Sequence, residues 1–297
     1  MPSLSFDQVA HAYDATRGYP EDVAGRIAAG IVATVKATPQ TRFLEVGVGT
    51  GRIAYPLASL GHNYTGADIS EKMVEQLAAK LVGSDWREVR HTWGYAADED
   101  TTTVAIAPLV RRFIQVDRWA ALRLVIADMT ALPFYDDTFD VALAVHVFHL
   151  VDGWQKAVSE VLRVLHPGGF FLHCWDEIST PDEQNVGKAW EKIMVELGGE
   201  VRRPGSSSAH ADVTRWLKEQ GLQSEEHVVT NWETTITPRR ALEYVTKRLW
   251  SSTWNVPDDL FAATVVRLER WADEQFAGVM DVERKQFHKF VISKTRV

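Results

Sequence analysis

Residues 42–52 read RFLEVGVGTGR and decide the fold. The apolar start of this stretch predicts a buried strand, and the glycines after it predict a sharp turn into a helix over residues 53–60. Glycines allow a tight turn and let a ligand approach the backbone closely, while the N-terminus of a helix points its N–H groups outward. The stretch therefore predicts a strand–turn–helix unit with a ligand site at the carboxyl edge of a parallel sheet.

The first half of the chain repeats this alternation of short apolar runs and helical patterns. Further strands are predicted over residues 63–67, 123–127, 139–145 and 170–175. Helices are predicted over residues 71–81 and 153–165, the second ended by His166-Pro167-Gly168-Gly169. The alternation indicates an α/β fold, a doubly wound Rossmann-like sheet that is mostly parallel.

Beyond residue 175 the pattern becomes mainly helical. Helices are predicted over residues 183–197, 211–220, 238–249 and 257–276. Two strand-like runs, residues 227–236 and 286–293, predict an antiparallel hairpin at the edge of the sheet. We interpret residues 1–297 as a single domain in which residues 41–175 form the ligand-binding core and residues 177–281 a mainly helical cap.

An insertion, residues 82–121, interrupts the first half of the chain. A connection of about 2–6 residues would be enough at this point of an α/β fold, so a segment of this length is functional or mobile. It contains the acidic run Asp98-Glu99-Asp100 and helical spacing over residues 108–119. A lid, a dimer contact and a mobile loop all remain open for it.

Two acids follow the glycine loop at the ends of the next predicted strands. Asp68 lies about 20 residues beyond the loop, where a carboxylate can accept hydrogen bonds from both hydroxyls of a ribose. Asp128 ends the third strand, within reach of a base amino group. A nicotinamide dinucleotide fits less well, because Arg52 stands where the third glycine of its loop would be, and Glu45 would repel a pyrophosphate.

Composition narrows the class of protein further. The chain has 32 Lys and Arg against 40 Asp and Glu, a formal net charge of -8, which argues against nucleic acid as the main partner. One cysteine, Cys174, excludes an internal disulfide, and no metal site is expected. The longest apolar run, residues 141–151, is too short to span a bilayer, and the N-terminus lacks the pattern of a signal peptide. We expect a cytoplasmic protein without membrane insertion.

At this point the sequence resembles the class I S-adenosylmethionine-dependent methyltransferases, in particular the small-molecule group around ubiquinone and menaquinone biosynthesis (type 11). The segments that carry the resemblance lie in the family's order. They are LEVGVGTGR (residues 44–52), GADISEKMVEQ (66–76), IADMTALPFYDDTFDVALAVHVFHLV (126–151), RVLHPGGF (163–170) and the N-terminal FDQVAHAYDATRGYP (6–20). The resemblance implies S-adenosyl-L-methionine as cofactor and methyl transfer to a small molecule.

The resemblance also implies roles for individual residues. Gly47, Gly49 and Gly51 would cradle the methionine part of the cofactor, with Glu45 near its amino group. Tyr13, together with Arg17, would close over the cofactor from the N-terminal helix.

For the adenosine part, the resemblance assigns the ribose hydroxyls to Asp68 and places Ile69 on the adenine. Asp128 would accept from the adenine amino group, and the backbone of Met129 would donate to a ring nitrogen. Met73 is assigned to the same cofactor site.

Val145 and His146 lie where the family places residues near the sulfonium. Methyl transfer is an in-line displacement in which the cofactor brings the reactivity, so no catalytic triad is required. A phenol or amine acceptor would benefit from a base, and His146 and His149 are the candidates. A carboxylate acceptor would instead need a cationic clamp, for which the candidates are Arg17, Arg239, Arg240 and Arg248.

Two other functions stay open at this stage. A methyltransferase that acts on tRNA or protein would need a row of basic residues on the cap. Residues 202–203 and 239–240, two pairs of arginines, are the only short basic clusters there. A protein that binds the cofactor without turnover would keep the same loop and acids. The oligomeric state and the acceptor are not indicated by the sequence.

Overall fold

The computed structural model describes most of the chain. The described residues are 7, 10, 13–89, 110–115, 120–180, 185–200 and 209–297. Within them, no helix is both long and apolar enough to cross a membrane.

A nine-stranded sheet runs through the described residues, in the order β3-β4-β5-β2-β1-β6-β7-β9-β8. The strands are β1 (Arg42–Val46), β2 (Asn63–Asp68), β3 (Trp86–Val89), β4 (Val110–Gln115), β5 (Ala121–Ile126), β6 (Phe139–Val145), β7 (Leu165–Ser179), β8 (Ser224–Ile236) and β9 (Arg284–Arg296). The expected α/β fold with a mostly parallel centre and antiparallel edge strands is confirmed.

The centre of the sheet is parallel and buried. Strand β1 pairs with β2 on one side and with β6 on the other, β2 pairs with β5, and β6 pairs with β7, all in parallel. Phe43, Leu44 and Val46 are almost fully buried, because a central parallel strand is covered on both faces. The carboxyl ends of these strands therefore meet along one edge of the sheet, which positions the site described below.

At one edge, the insertion contributes two antiparallel strands. Strand β4 pairs antiparallel with β5, and β3 pairs antiparallel with β4. The helical spacing over residues 108–119 is therefore a wrong prediction for Val110–Gln115, whose backbone groups are taken up by the sheet ladder and whose Phe113 is fully buried. Residues 90–109 and 116–119, which include the acidic run, lie outside the described residues.

At the other edge, β9 and β8 are antiparallel. The N–H of Gly168 near the start of β7 donates to the carbonyl oxygen of Val297, just after β9, and the N–H of Val297 donates to the carbonyl oxygen of Gly169. Glu177 near the end of β7 pairs with Lys289 near the start of β9. Strands β8 and β9 likewise run in opposite directions, since Ser224 contacts Thr295 and Thr234 contacts His288. The predicted pair of antiparallel edge strands is confirmed, and both strands extend beyond the predicted bounds.

Nine α-helices are described. They are α1 (Tyr13–Arg17), α2 (Glu21–Val35), α3 (Ala54–Ala58), α4 (Glu71–Val82), α5 (Trp154–Val164), α6 (Val186–Glu196), α7 (Ala209–Glu219), α8 (Pro238–Thr246) and α9 (Asp258–Gln275). Apart from the helical spacing over residues 108–119, each helix predicted after β1 is present, with shifts of a few residues at its ends.

Two helix ends illustrate how the local sequence sets the boundaries. The Ser70 side chain accepts a hydrogen bond from the backbone N–H of Met73 and caps α4, as predicted. Helix α5 ends at Val164, and β7 begins at the next residue. The helix therefore ends just before residues 166–169, as predicted, and Gly168 and Gly169 belong to the strand, because their backbone groups pair with Val297.

The chain divides into two compact units. The first unit comprises Met1–Trp175, Pro204–Thr230 and Phe290–Val297, and the second Asp176–Arg203 and Asn231–Lys289. Helix α7, which we placed in the cap by sequence, belongs to the first unit, where Val213 and Leu217 join the apolar core beneath α5. In the second unit, helices α6, α8 and α9 form a core around the fully buried Trp190. The single-domain interpretation stays a prediction.

Candidate active site

A cleft in the first unit lies at the carboxyl ends of β1, β2, β5 and β6. It measures about 650 Å³, a volume that includes space open to solvent. This size is in the range of most small-molecule sites. Ten residues predicted from the sequence line it: Tyr13, Gly47, Gly49, Asp68, Ile69, Met73, Asp128, Met129, Val145 and His146.

Some predicted residues are not in the cleft wall, and some wall residues were not predicted. Arg17, Glu45, Gly51 and His149 do not line the cleft. The unpredicted lining residues are Ala127, Val147, Leu150 and Val151. They lie within two residues of predicted positions in the chain, and all four are apolar residues of the kind that also fills cores, so no chemical signal marked them in the sequence.

The glycine turn adopts a backbone that other residues tolerate poorly. Gly47 and Gly51 have φ angles of 74° and 80°. A Cβ atom on Gly47 would lie 2.7 Å from a methyl group of Val147, and one on Gly51 would lie 2.4 Å from Leu77. Glycine is therefore required at both positions by backbone conformation and by space. Gly47 leaves the cleft floor open, whereas Gly51 allows the turn to pack against α4.

Asp68 links the end of β2 to the glycine turn. Its Oδ2 accepts a hydrogen bond of 2.8 Å from the N–H of Gly49, and its Oδ1 accepts one of 2.8 Å from the N–H of Ser70. Burial raises the pKa of the Asp68 carboxyl, and these two backbone bonds oppose the shift. Each carboxylate oxygen keeps a further lone pair, so the side chain can still accept from a ligand that enters the cleft.

Asp128 and Ile69 present a polar and an apolar contact at the cleft. The Oδ1 atom of Asp128 accepts hydrogen bonds from the N–H and the hydroxyl of Thr130, at 2.8 and 2.9 Å. Its Oδ2 accepts no bond in the part of the chain that the structure describes. The side chain of Ile69 is 49% exposed and lines the cleft, where it offers apolar surface to a ligand.

Glu45 lies beneath the glycine turn. It is only 2% exposed, and its Oε2 accepts a 2.7 Å hydrogen bond from the Tyr64 hydroxyl. Burial raises the pKa of Glu45 to about 8, although the Tyr64 hydrogen bond and the charge of Arg52 act in the opposite direction. Sequence reasoning placed this carboxylate at a ligand amino group, whereas the structure places it in the core.

Arg17 is part of a cluster of cationic and aromatic side chains at the start of the chain. Its guanidinium lies 5.5 Å from the ring of Tyr13, and burial lowers its pKa. Arg52 lies 4.6 Å from the ring of Tyr19 and donates a 2.7 Å hydrogen bond to the carbonyl oxygen of Arg17. Tyr13 thus reaches the cleft, while Arg17 supports the segment that carries it.

Asp14 holds α1 on the glycine turn, and sequence reasoning missed it. Its Oδ1 accepts a 2.6 Å hydrogen bond from the hydroxyl of Thr50, and its Oδ2 lies 2.5 Å from the ammonium of Lys80. Lys80 also donates a 2.7 Å hydrogen bond to the carbonyl oxygen of Thr50. The position of Tyr13 at the cleft therefore depends on contacts made by the residue that follows it.

Substitution of Asp14 by asparagine is expected to weaken ligand binding in this cleft about two- to five-fold, since an exposed ion pair contributes roughly 0.2–1 kcal/mol. The measurement is a calorimetric titration of S-adenosylhomocysteine at low and at high salt. The control is Asp22→Asn, which removes the ion pair of Asp22 with Arg26 on α2. Equal affinities for the two variants at low salt would contradict the role of Asp14.

His146 follows β6 directly and has an unusual backbone. Its φ angle is 50°, and its N–H donates a 3.2 Å hydrogen bond to the carbonyl oxygen of Cys174 on β7. A positive φ in a residue other than glycine is uncommon and is concentrated at functional sites. His149 lies in a short 3-10 turn, Phe148–Leu150, and is half-buried outside the cleft wall.

The arginines proposed as clamps for a carboxylate are engaged in structural contacts. Arg239 pairs with Asp281, and Arg240 donates to Tyr244 and Glu243. Arg248 donates to the carbonyl oxygens of Thr253 and Val256 and to Asp258, and its guanidinium stacks on the ring of Phe261 at 3.9 Å. These contacts stabilise helices of the second unit, and none of the three arginines lines the cleft.

Comparison with known proteins agrees with the geometry of the cleft. A family model described as a methyltransferase domain matches residues 44–173. The demethylmenaquinone methyltransferase of Clavibacter sepedonicus is 29% identical over 244 residues, 76% of this chain and 83% of that protein. The human mitochondrial 2-methoxy-6-polyprenyl-1,4-benzoquinol methylase is 28% identical over 175 residues, 55% of this chain and 51% of that protein, so the chain spans about half of its length.

Solved structures show the same fold. A protein described as a methyltransferase from Bacillus halodurans superposes with a TM-score of 0.52 at 16% identity, covering 91% of this chain and 97% of that one. One described as a type II methyltransferase from Anaeromyxobacter dehalogenans gives a TM-score of 0.53 at 15% identity, covering 94% and 97%.

Residues 44–173 therefore carry a methyltransferase domain. It is similar to the small-molecule methyltransferases of the type 11 group, and S-adenosylmethionine is its methyl donor. Every described residue that lines the cleft, except Tyr13, falls within the matched segment.

Proposed function

We propose that this methyltransferase transfers a methyl group to an apolar, hydroxylated small molecule in the cleft of the first unit. The observation that carries the proposal is the convergence of the glycine turn, Asp68, Asp128 and His146 on one cleft. The names of the relatives, a demethylmenaquinone methyltransferase and a benzoquinol methylase, support an acceptor of this class. The formal net charge of -8 supports a small molecule over tRNA.

The residues of the cleft fit S-adenosylmethionine. Asp68 has lone pairs left for the ribose hydroxyls, and Asp128 has one oxygen left for the adenine amino group. Ile69 and Met73 offer apolar surface to the adenine, while Gly47 and Gly49 form the floor for the methionine part. Met129 and Val145 complete the proposed set. Arg17, Glu45 and Gly51 act indirectly in this proposal, through the segments they support.

The cofactor, when bound, supplies an activated methyl group, and the chain supplies alignment and exclusion of water. Val147, Leu150 and Val151 give the end of the cleft near His146 an apolar lining, which favours an apolar acceptor over a charged one. We propose His146 as the catalytic residue that hydrogen-bonds the acceptor. His149, outside the cleft wall, stays a weaker candidate for that role, and the cytoplasmic location stays a prediction.

Calorimetric titration of the full chain with S-adenosylhomocysteine tests the proposal. We expect saturable binding with a dissociation constant on the order of micromolar. No saturable binding up to millimolar concentration would overturn it. Binding together with no methyl transfer to any of a panel of hydroxylated quinols, sterols and phenols would instead identify a cofactor-binding protein without turnover.

A further inference from the structure

The segment between β5 and β6, residues 127–138, carries Asp128 and Met129 at the wall of the cleft. It consists of turns and irregular backbone with a single bridge residue, Phe134, so no regular ladder of hydrogen bonds fixes it. Near its start, the carbonyl oxygen of Asp128 accepts a 3.0 Å hydrogen bond from the N–H of Ala131 and closes a turn. The position of the Asp128 carboxylate therefore depends on what holds the residues that follow this turn.

Two apolar side chains of the segment lie in the core of the first unit. Leu132 and Phe134 are 5% and 2% exposed, and the ring of Phe134 makes an edge-to-face contact with that of Phe139 at 5.1 Å. Burial of these side chains keeps the segment against the core. The hydrophobic effect has no preferred direction, however, so it does not by itself set the position of the backbone N–H and carbonyl groups.

Glu160 and Arg163 supply directional contacts from α5. They lie three residues apart, so their side chains are neighbours on one face of the helix. The Nε and Nη2 atoms of Arg163 each donate a 2.8 Å hydrogen bond to a carboxylate oxygen of Glu160. Glu160 also accepts a 2.8 Å hydrogen bond from the backbone N–H of Leu132. The hydrogen bonds from Arg163 lower the pKa of Glu160, so this carboxylate is charged at neutral pH.

The guanidinium of Arg163 contacts the segment at three further points. Its Nη2 donates a 3.1 Å hydrogen bond to the carbonyl oxygen of Leu132. Its Nη1 donates to the carbonyl oxygen of Phe134 at 2.8 Å and to Oδ1 of Asp136 at 2.7 Å. With the two bonds to Glu160, these contacts use all five N–H groups of the guanidinium. Glu160 and Arg163, here called the α5 clamp, thus bind both the N–H and the carbonyl oxygen of Leu132.

We propose that Arg163 is a positioning residue for the cofactor, because the α5 clamp sets where the carboxylate of Asp128 meets the adenine amino group. This inference rests on the proposed function, in which Asp128 accepts a hydrogen bond from that group. Leu132 lies four residues after Asp128, and the turn closed by Ala131 makes the connection short. A shift of the backbone at Leu132 therefore moves Asp128. Arg163 does not line the cleft, so it acts through the segment.

The test compares two ligands that differ at one position of the base. S-adenosylhomocysteine carries the amino group, whereas S-inosylhomocysteine carries a carbonyl oxygen there, which cannot donate to the carboxylate of Asp128. We expect wild type to prefer S-adenosylhomocysteine by roughly 30-fold, because a site that accepts from an amino group rejects an analogue that lacks it. Calorimetric titration of the full chain gives the ratio of the two dissociation constants.

Arg163→Lys is the main variant. An ammonium keeps the charge but has three N–H donors instead of five, and it cannot form the side-on pair with Glu160. We expect the preference to fall from roughly 30-fold to about 3-fold, with the affinity for S-inosylhomocysteine changed by less than about two-fold. The control is Arg42→Lys, since Arg42 forms a side-on pair with Asp140 at the amino ends of β1 and β6. It should keep the wild-type preference.

A milder variant and a readout without ligand accompany this comparison. Glu160→Gln keeps an oxygen for the N–H of Leu132 but loses the charge, so its preference should fall to about 10-fold. In ligand-free protein, hydrogen exchange of the backbone amides of Thr130 and Leu132 should be faster in Arg163→Lys than in wild type. The amides of Gly49 and Ser70, which Asp68 binds, should exchange at the wild-type rate.

The outcomes are distinct. A wild-type preference in Arg163→Lys, or an equal loss of affinity for both ligands, would overturn the role of Arg163, because a purely structural residue affects both ligands alike. If Arg163→Lys does not fold, Glu160→Gln decides by the same ratio, and failure of both variants to fold would overturn the proposal. Equal affinity of wild type for the two ligands would overturn the adenine contact of Asp128 and with it this inference. Failure of wild type to bind either ligand would overturn the proposed function itself.

Discussion

Substitution of Asp68 by alanine is expected to weaken S-adenosylhomocysteine binding about ten-fold or more. The variant removes the acceptor proposed for the ribose hydroxyls, and a hydrogen bond lost in this way costs roughly 1–3 kcal/mol. It also frees the N–H groups of Gly49 and Ser70, which Asp68 holds at 2.8 Å, so the glycine turn loses an anchor. Calorimetric titration gives the change in dissociation constant directly.

Asp140→Ala is the matched control. Asp140 accepts bonds from the backbone and guanidinium of Arg42 at the amino ends of β1 and β6. Its loss should lower the thermal stability and leave the affinity unchanged. If Asp68→Ala binds within two-fold of wild type, Asp68 is not a ribose contact.

Substitution of Glu45 by glutamine is expected to remove a pH dependence of stability. The pKa of Glu45 is about 8 in the folded protein, and its ordinary value of 4.5 applies to the unfolded chain. Between pH 4.5 and 8 the folded protein therefore holds a proton that the unfolded chain has released. The free energy of unfolding of wild type therefore falls as pH rises through this window and levels off above it. Glutamine carries no titrating proton. As pH rises from 6 to 8, the free energy of unfolding of Glu45→Gln should therefore increase by about 2 kcal/mol relative to that of wild type.

Urea unfolding of both proteins at several pH values measures this difference. Glu75→Gln, at an exposed position on α4, is the control and should follow the wild-type curve. A Glu45→Gln curve parallel to wild type across the window would show that Glu45 does not hold its proton in the folded state.

The fold was predictable where local pattern and burial agree. Strand β6 has the predicted bounds, residues 139–145, because a run of apolar residues between turn signals has few alternatives in an α/β chain. Strand β4 was not predictable, because Val110–Gln115 contains two consecutive arginines, and only pairing with β5 makes it a strand. Its conformation is decided by the pairing with β5, not by its own periodicity.

The candidate site, like the fold, could be predicted from the sequence only in part. The glycine turn, Asp68 and Asp128 belong to segments whose spacing is set by strand–turn–helix geometry, and all reach the cleft. Glu45 follows the same pattern by sequence, yet its side chain points to Tyr64, because alternate residues of a strand face opposite sides of the sheet.

The antiparallel pairing of β3 and β4 also indicates where the chain can be engineered without disturbing the sheet. Val89 is in register with Arg112, so the two points where the chain leaves and rejoins the sheet are adjacent. Closing a loop between adjacent points costs only about 0.6 kcal/mol more for each doubling of its length. Shortening, lengthening or replacing residues 90–109 with a reporter peptide should therefore leave the register of β5, and with it the position of Asp128, undisturbed. Residues 90–109 are therefore a suitable position for the insertion of a foreign peptide.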